Sequence, residues 1–135
     1  MAVQVKLKTT IVQDDEKQQF DFDEPGQLVQ LQDIYYLRYQ EGTKKIPVTF
    51  KFDTDGDIYL TRNATNRTRF QFSPNQTFET HYQSEYGLIK LAVKTLKILQ
   101  EVDFKAGQGK IAIDYQLLSQ NQLLGMYQIR LQFNA

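Results

Sequence analysis

Cysteine is absent from this sequence of 135 residues, and so is tryptophan. Without cysteine the chain can form no disulfide, no thiolate nucleophile and no thiolate metal ligand. The single histidine, His81, cannot supply the ligands of a common zinc site. We therefore expect no metal, no cofactor and no dedicated set of catalytic residues.

An excess of charge is lacking too, because sixteen basic residues balance sixteen acidic ones. The overall charge therefore favours neither nucleic acid nor a membrane surface as a partner. The distribution is less even: residues 44–69 carry six basic and three acidic residues, whereas residues 1–41 carry four and eight. Any electrostatic partner would bind a local patch.

Long apolar runs do not occur, and the first stretch alternates polar and apolar residues with Lys6 and Lys8 interrupting it: MAVQVKLKTTIVQ. This pattern is unlike a signal peptide, and no stretch reaches the length of a membrane span. We expect a cytoplasmic protein with no membrane partner.

Glycine and proline are few, but they recur at short intervals between runs rich in Val, Ile, Thr, Tyr and Phe. Within these runs apolar and polar residues alternate, as at Val48, Phe50 and Phe52. A period of two indicates strands with one buried face and one wet face. The sequence predicts an all-β fold with a single domain over residues 1–135.

Residues 86–99 are ambiguous: YGLIKLAVKTLKIL. Lys90, Lys94 and Lys97 have helical spacing, which favours a basic amphipathic helix. As a strand, the segment places Leu91, Val93 and their alternate neighbours on one face. Periodicity alone slightly favours the helix, and the β-rich surroundings favour the strand.

From Tyr36 to Phe133 the chain resembles the YwiB-like family of bacterial proteins. The resemblance is carried by four stretches: YYLRYQE, VTFKFDTDGDIYLTR, YQSEYGLIKLAVKT and GKIAIDYQL. Positions that look like the family pattern are Tyr39, Glu41, Thr49, Lys51, Arg62, Tyr82, Tyr86, Gly87, Thr95 and Tyr115. The resemblance implies one antiparallel calycin-type (lipocalin-like) β-barrel of roughly eight to ten strands, with residues 86–99 as a strand. It implies no function. The chain departs from the family at the turn after Arg62, where Asn63–Asn66 replaces the usual glycine.

Turn signals predict which residues lie opposite one another. A two-residue turn at Asp55-Gly56 places Phe52 opposite Tyr59, and a loop at Gly42–Lys45 places Tyr39 opposite Val48. A loop at Asn63–Asn66 places Arg62 opposite Arg67. Opposed residues share a face, so we expect an aromatic barrel interior and an outward basic stripe. A single bulge would reverse the faces beyond it, and inward arginines would suggest a binder of carboxylate lipids.

The interior suggests a ligand site, because aromatic rings give shape and phenol groups fix orientation. The hypothesis is a small apolar or amphipathic ligand held by Tyr35, Tyr39, Phe50, Phe52, Tyr59, Phe70, Tyr82 and Tyr115. The structural alternative is an interior filled by its own side chains.

The outward stripe provides a second hypothesis, in which the stripe is either solvated surface or an anion site. Its residues are Arg38, Lys51, Arg62, Arg67 and Arg69. The candidate partners are a phosphorylated metabolite, an acidic protein segment including one from a second copy, and RNA as the least expected. A third hypothesis is acid–base chemistry inside the barrel by Tyr39, Glu41, Tyr82 or Tyr115.

Overall fold

A computed structural model describes residues 1–135, apart from the side chain of Ser84. Ten β-strands account for most of the chain, and no helix occurs in the backbone so described. The strands are β1 (Ala2–Gln13), β2 (Glu16–Leu31), β3 (Ile34–Glu41), β4 (Ile46–Phe52), β5 (Ile58–Asn63), β6 (Arg67–Phe72), β7 (Thr77–Ser84), β8 (Gly87–Asp103), β9 (Gln108–Ser119) and β10 (Gln122–Asn134).

All ten strands belong to one antiparallel sheet in the order β6-β5-β4-β3-β2-β1-β10-β9-β8-β7. The first and last strands pair near the middle of this order, with Gln4 opposite Asn134. The two outer strands, β6 and β7, approach each other where the Thr80 hydroxyl donates to the Arg69 carbonyl at 2.7 Å. The sheet is thus a nearly closed barrel, which confirms the expected all-β fold and is consistent with a calycin-like barrel.

The core lies inside the barrel and follows the alternation of the sequence. On β4 the side chains of Val48, Phe50 and Phe52 are buried, and on β10 those of Ile129, Leu131 and Phe133 are buried. Each such aromatic or aliphatic side chain contributes about 1.5–3 kcal/mol on burial. The period of two therefore places the apolar side chains on a single inner surface.

The segment that resembled a helix is strand β8 with a bulge. The register shifts between Thr95 and Lys97, which makes Leu96 an extra residue. Before the bulge the even-numbered residues Lys90 and Lys94 face outward. After the bulge an odd-numbered residue, Lys97, faces outward. The helical spacing of the lysines thus arises from a strand whose faces exchange at one residue.

The hairpin between β4 and β5 corrects the predicted register. The turn is longer than two residues: Phe52 lies opposite Ile58, and residues 53–57 form the connection. The Asp53 carboxylate accepts hydrogen bonds from the backbone N–H groups of Asp55 (3.0 Å) and Asp57 (2.9 Å). This side-chain bonding stabilises the wider turn, and it reverses the faces predicted for β5.

The next connection was predicted wrongly in the opposite sense, as one residue too long. Asn63 lies opposite Arg67, so the loop between β5 and β6 is 64–66, and Arg62 lies opposite Thr68. This second error cancels the first, so that β6 has its predicted faces. The loop at Gly42–Lys45 was predicted correctly, with Tyr39 opposite Val48.

Candidate functional site

Arg62 lies on the inner face of the barrel, contrary to the prediction that it faces outward. It is opposite Val48 on one side and follows Ile58 and Leu60 in the alternation of β5. The guanidinium Nε donates to the Glu41 carboxylate at 3.0 Å. The Arg62 side chain is 39% exposed, whereas that of Glu41 is 6% exposed. The ion pair therefore has one end in the interior and the other at the barrel opening.

The same carboxylate holds a third group. The Tyr39 hydroxyl donates to the second oxygen of Glu41 at 3.0 Å. Each Glu41 oxygen thus accepts one hydrogen bond, and we call Tyr39, Glu41 and Arg62 the polar triad. A buried carboxylate is tolerated in an apolar interior when it is paired and hydrogen-bonded in this way.

Tyr39 acts in the triad as a donor. Burial first, and then the neighbouring Glu41 carboxylate, raise the pKa of Tyr39 above its ordinary value. The phenol therefore keeps its proton at physiological pH and is a poor general base. This arrangement fixes the Glu41 carboxylate more than it activates Tyr39.

An open cavity of about 330 Å³ lies beside the triad, within the range of small-molecule sites. Most of its walls are apolar or aromatic, and its charged lining residues are Glu41 and Arg62. The other lining residues are Leu7, Thr9, Ile11, Phe20, Phe22, Val48, Phe50, Leu60, Thr68, Phe70, Tyr115, Tyr127 and Ile129.

Two tyrosines form part of the aromatic wall. The rings of Tyr115 and Tyr127 stack with centroids 5.0 Å apart, and Phe70 packs edge-on against Tyr115 at 6.0 Å. Burial, assisted by Tyr127, raises the pKa of Tyr115, and burial likewise raises that of Tyr127. Both phenols therefore remain neutral hydrogen-bonding groups near the cavity.

The opposite end of the barrel is filled. Phe104 stacks on Tyr35 with centroids 4.2 Å apart and lies 5.3 Å from Phe52 and 6.1 Å from Phe133. Aromatic contacts of this kind stabilise a core beyond the burial of area alone. The cavity is therefore confined to the end of the barrel that carries the polar triad.

A comparison with protein-family models identifies the family of this chain. The model described as "Domain of unknown function (DUF1934)" matches residues 5–131. The chain belongs to the DUF1934 family.

One solved structure shares the fold of this DUF1934 chain. The crystal structure of the ywiB protein from Bacillus subtilis matches with a TM-score of 0.83 at 18% sequence identity. The match covers 99% of this chain and 91% of that chain. It confirms the predicted YwiB-like resemblance and the barrel, and at this identity it shows the fold alone. A comparison with curated proteins finds no match.

The eight interior residues predicted for the DUF1934 chain divide into three groups. Phe50, Phe70 and Tyr115 line the cavity. Four others do not line it: Tyr35, Tyr39, Phe52 and Tyr82. Tyr39 is engaged by Glu41, Tyr35 and Phe52 pack at the filled end, and Tyr82 accepts a hydrogen bond from Asn66 at 3.2 Å.

Tyr59 is the eighth of these residues, and its prediction as an interior side chain was wrong. It lies opposite Lys51 on the outer face, because the wider turn at residues 53–57 shifts β5 by one position. The Lys51 ammonium lies 5.0 Å from the centre of the Tyr59 ring. Burial first, and then the carboxylates of Asp53 and Asp57, raise the pKa of Tyr59.

The outer stripe loses Arg62 and keeps its other four cations. Arg38 and Arg69 lie in one row across the sheet, where Arg38 is opposite Thr49 and Arg69 is opposite Thr61. Arg67 is exposed on the same strand as Arg69, and Lys51 lies in the next row. None of the four forms an ion pair with a carboxylate in the part of the chain that the structure describes.

The sequence placed Tyr39 and Glu41 together inside the barrel, but their pairing with Arg62 was not predicted. The residues of the triad were visible separately, since Tyr39, Glu41 and Arg62 all belong to the family-like positions. A simpler signal was also present: the alternation of β3 continues from Leu37 through Tyr39 to Glu41, and that of β5 from Ile58 to Arg62. An acidic residue at the end of one apolar strand face and a basic residue at the end of another predict an ion pair.

No cluster of metal-ligating side chains occurs among the described residues. In the same part of the chain, no helix is long and apolar enough to cross a membrane.

Proposed function

We propose that this DUF1934 protein binds a small, mostly apolar molecule in the open end of its barrel. The observation that carries the proposal is the cavity of about 330 Å³ between apolar walls, with one ion pair at its side. Sites for small molecules typically combine such walls with a few polar groups that fix orientation. Aromatic rings supply contact area, and the triad supplies the orienting group.

The test is to fill the cavity from within. Thr68 lines the cavity, and Thr61 lies on the adjacent strand facing outward. We expect Thr68→Trp to abolish binding of the uncharged dye N-phenylnaphthylamine, because the indole occupies the space. Thr61→Trp is the matched control and should bind the dye as the wild type does. Dye fluorescence measures binding, and circular dichroism reports whether each variant keeps its fold.

Two results would contradict the proposal. One is that the wild-type protein leaves the dye fluorescence unchanged. The other is that Thr68→Trp, although folded, binds the dye as tightly as Thr61→Trp does.

A second candidate function is anion binding on the outer stripe, now defined by Arg38, Lys51, Arg67 and Arg69. It is supported by the four cations themselves, none of which forms an ion pair with a carboxylate in the described part of the chain. Guanidinium groups present forked donors that suit phosphate oxygens. A phosphorylated small molecule is therefore the partner that the chemistry favours.

Inorganic pyrophosphate is a suitable probe for this surface. We expect calorimetry to detect binding that weakens with added salt, and the double change Arg67→Glu with Arg69→Glu to remove it. Lys105→Glu with Lys110→Glu changes the charge equally at another exposed site and should leave binding intact. Binding that survives the first pair of changes, or no binding by the wild type, would reject the candidate.

A further inference from the structure

The charges around the cavity carry an inference about the kind of ligand, and it rests on the proposed binding function. Arg62 is the cation among the cavity-lining side chains, and its Nε is bound to Glu41. A lone arginine at such a place would attract a carboxylate. Here the charge of the arginine is already balanced before any ligand enters.

A second carboxylate, that of Glu24, makes the charge around the triad more negative. Glu24 lies opposite Val5, a core residue, and is half-buried on the inner face of β2. Its charge acts on Tyr39 in the same sense as that of Glu41 and against that of Arg62. The surroundings of the triad thus contain two carboxylates and one guanidinium. An anionic group entering this region meets net repulsion, which is weakly screened away from water.

Arg62 nevertheless keeps hydrogen-bond donors that a ligand can use. Among the described side chains, only Glu41 hydrogen-bonds to Arg62, through Nε, so the two terminal Nη groups are available as donors. Both oxygens of Glu41 already accept a hydrogen bond, from Tyr39 and from Arg62. The site therefore offers donors to a ligand oxygen and has less to offer a ligand cation.

We infer that the ligand carries an uncharged oxygen acceptor, such as a hydroxyl, ester or amide group, at one end of an apolar body, and that Glu41 excludes carboxylates. Glu41 is thus a specificity-determining residue, and Arg62 is the donor to the ligand. The pair orients the polar end of the ligand without selecting for an anion.

Decanol, decanoate and decylamine test this inference because they share a chain and differ in the charge of the end group at neutral pH. Each is measured by its displacement of N-phenylnaphthylamine. In the wild type we expect decanol to bind at least about tenfold more tightly than decanoate. Decanoate binding as tightly as decanol, or no displacement by decanol, would overturn the inference.

Glu41→Gln keeps the size of the side chain and removes its charge. We expect this variant to bind decanoate at least about tenfold more tightly than the wild type does, in a salt-dependent manner, with decanol affinity changed little. Adding Arg62→Met should remove that gain, because the released guanidinium is its source. An unchanged preference in folded Glu41→Gln would overturn the role of Glu41.

Arg62→Gln provides an independent measurement if Glu41→Gln does not fold. It leaves the Glu41 charge unbalanced, so decanoate affinity should fall and decylamine affinity should rise. A rise in decanoate affinity would overturn the inference. Failure of the underlying binding function looks different, since the dye itself would then not bind to the wild type.

Discussion

At the scale of single residues, buried tyrosines have two different roles inside this barrel. Tyr39 donates a hydrogen bond to a charged neighbour, whereas Tyr115 packs between Phe72, Phe70 and Tyr127. Burial is the largest cause of the raised pKa in both. The two residues therefore share a response to alkaline pH despite their different contacts.

The pH dependence follows from the direction of these shifts. An unfolded tyrosine ionises at about pH 10, whereas the folded protein holds the proton to higher pH. Above about pH 10 the native state binds more protons than the unfolded state. The stability that these tyrosines contribute is therefore complete below about pH 10 and is lost as the pH rises above it. The free energy of unfolding should fall by up to about 1.4 kcal/mol per pH unit for each such tyrosine.

Urea denaturation at a series of alkaline pH values measures this slope. Tyr115→Phe retains the ring and removes the titrating group, so its slope should be smaller than that of the wild type. Tyr36→Phe, a change on the outer face, is the matched control and should reproduce the wild-type slope. Equal slopes in all three proteins would contradict the prediction.

At the scale of elements, the turn at residues 53–57 decides which side chains of β5 enter the barrel. Its length depends on one side chain, because Asp53 holds the backbone of Asp55 and Asp57. A two-residue turn would have turned Tyr59 inward and Arg62 outward. The position of the candidate site thus depends on the chemistry of a turn some distance from it.

We expect Asp53→Ala to destabilise the protein by about 1–2 kcal/mol, because two backbone donors lose their acceptor. Asp53→Asn should restore much of this stability, since the amide oxygen can accept the same bonds. Thermal unfolding measures both changes. Asp55→Ala, at an exposed position in the same turn, is the control, and an equal loss in that variant would show that Asp53 has no special part.

The same element explains how far the sequence could predict the site. Alternation predicted the faces of β3 and β4 and the loop at Gly42–Lys45, because each follows from local pattern. The register of β5 could not be predicted in this way, since Asp55-Gly56 also suits a tighter turn and side-chain bonding selected the wider one. The pairing of Glu41 with Arg62 depends on that register, so it was missed as well.

At the scale of the whole molecule, the barrel closes along the seam between β6 and β7. These strands are the two ends of the sheet order, and side-chain bonds join them: Thr80 to the Arg69 carbonyl, and Asn66 to Tyr82. A seam held largely by side chains opens more readily than a ladder of backbone bonds.

Thr80→Val removes the donor at this seam with little change in shape. We expect a loss of about 0.5–1.5 kcal/mol, with faster amide hydrogen exchange confined to β6 and β7. Thr77→Val, at an exposed position on β7, is the matched control. Exchange that rises equally in β1 and β10 would show that the effect is global and would contradict a local seam.

The pairing of β1 with β10 has a consequence for the order in which the molecule can form. Val5 reaches its partner Phe133 only after nearly the whole chain is available, whereas β2 to β6 pair with strands adjacent in sequence. Closing so long a loop is entropically costly, and folds dominated by distant pairings form slowly. Until the last strand arrives, one edge of β1 is an unpaired template on which a neighbouring chain can pair instead. Folding of this protein therefore competes with association between chains until β10 pairs with β1.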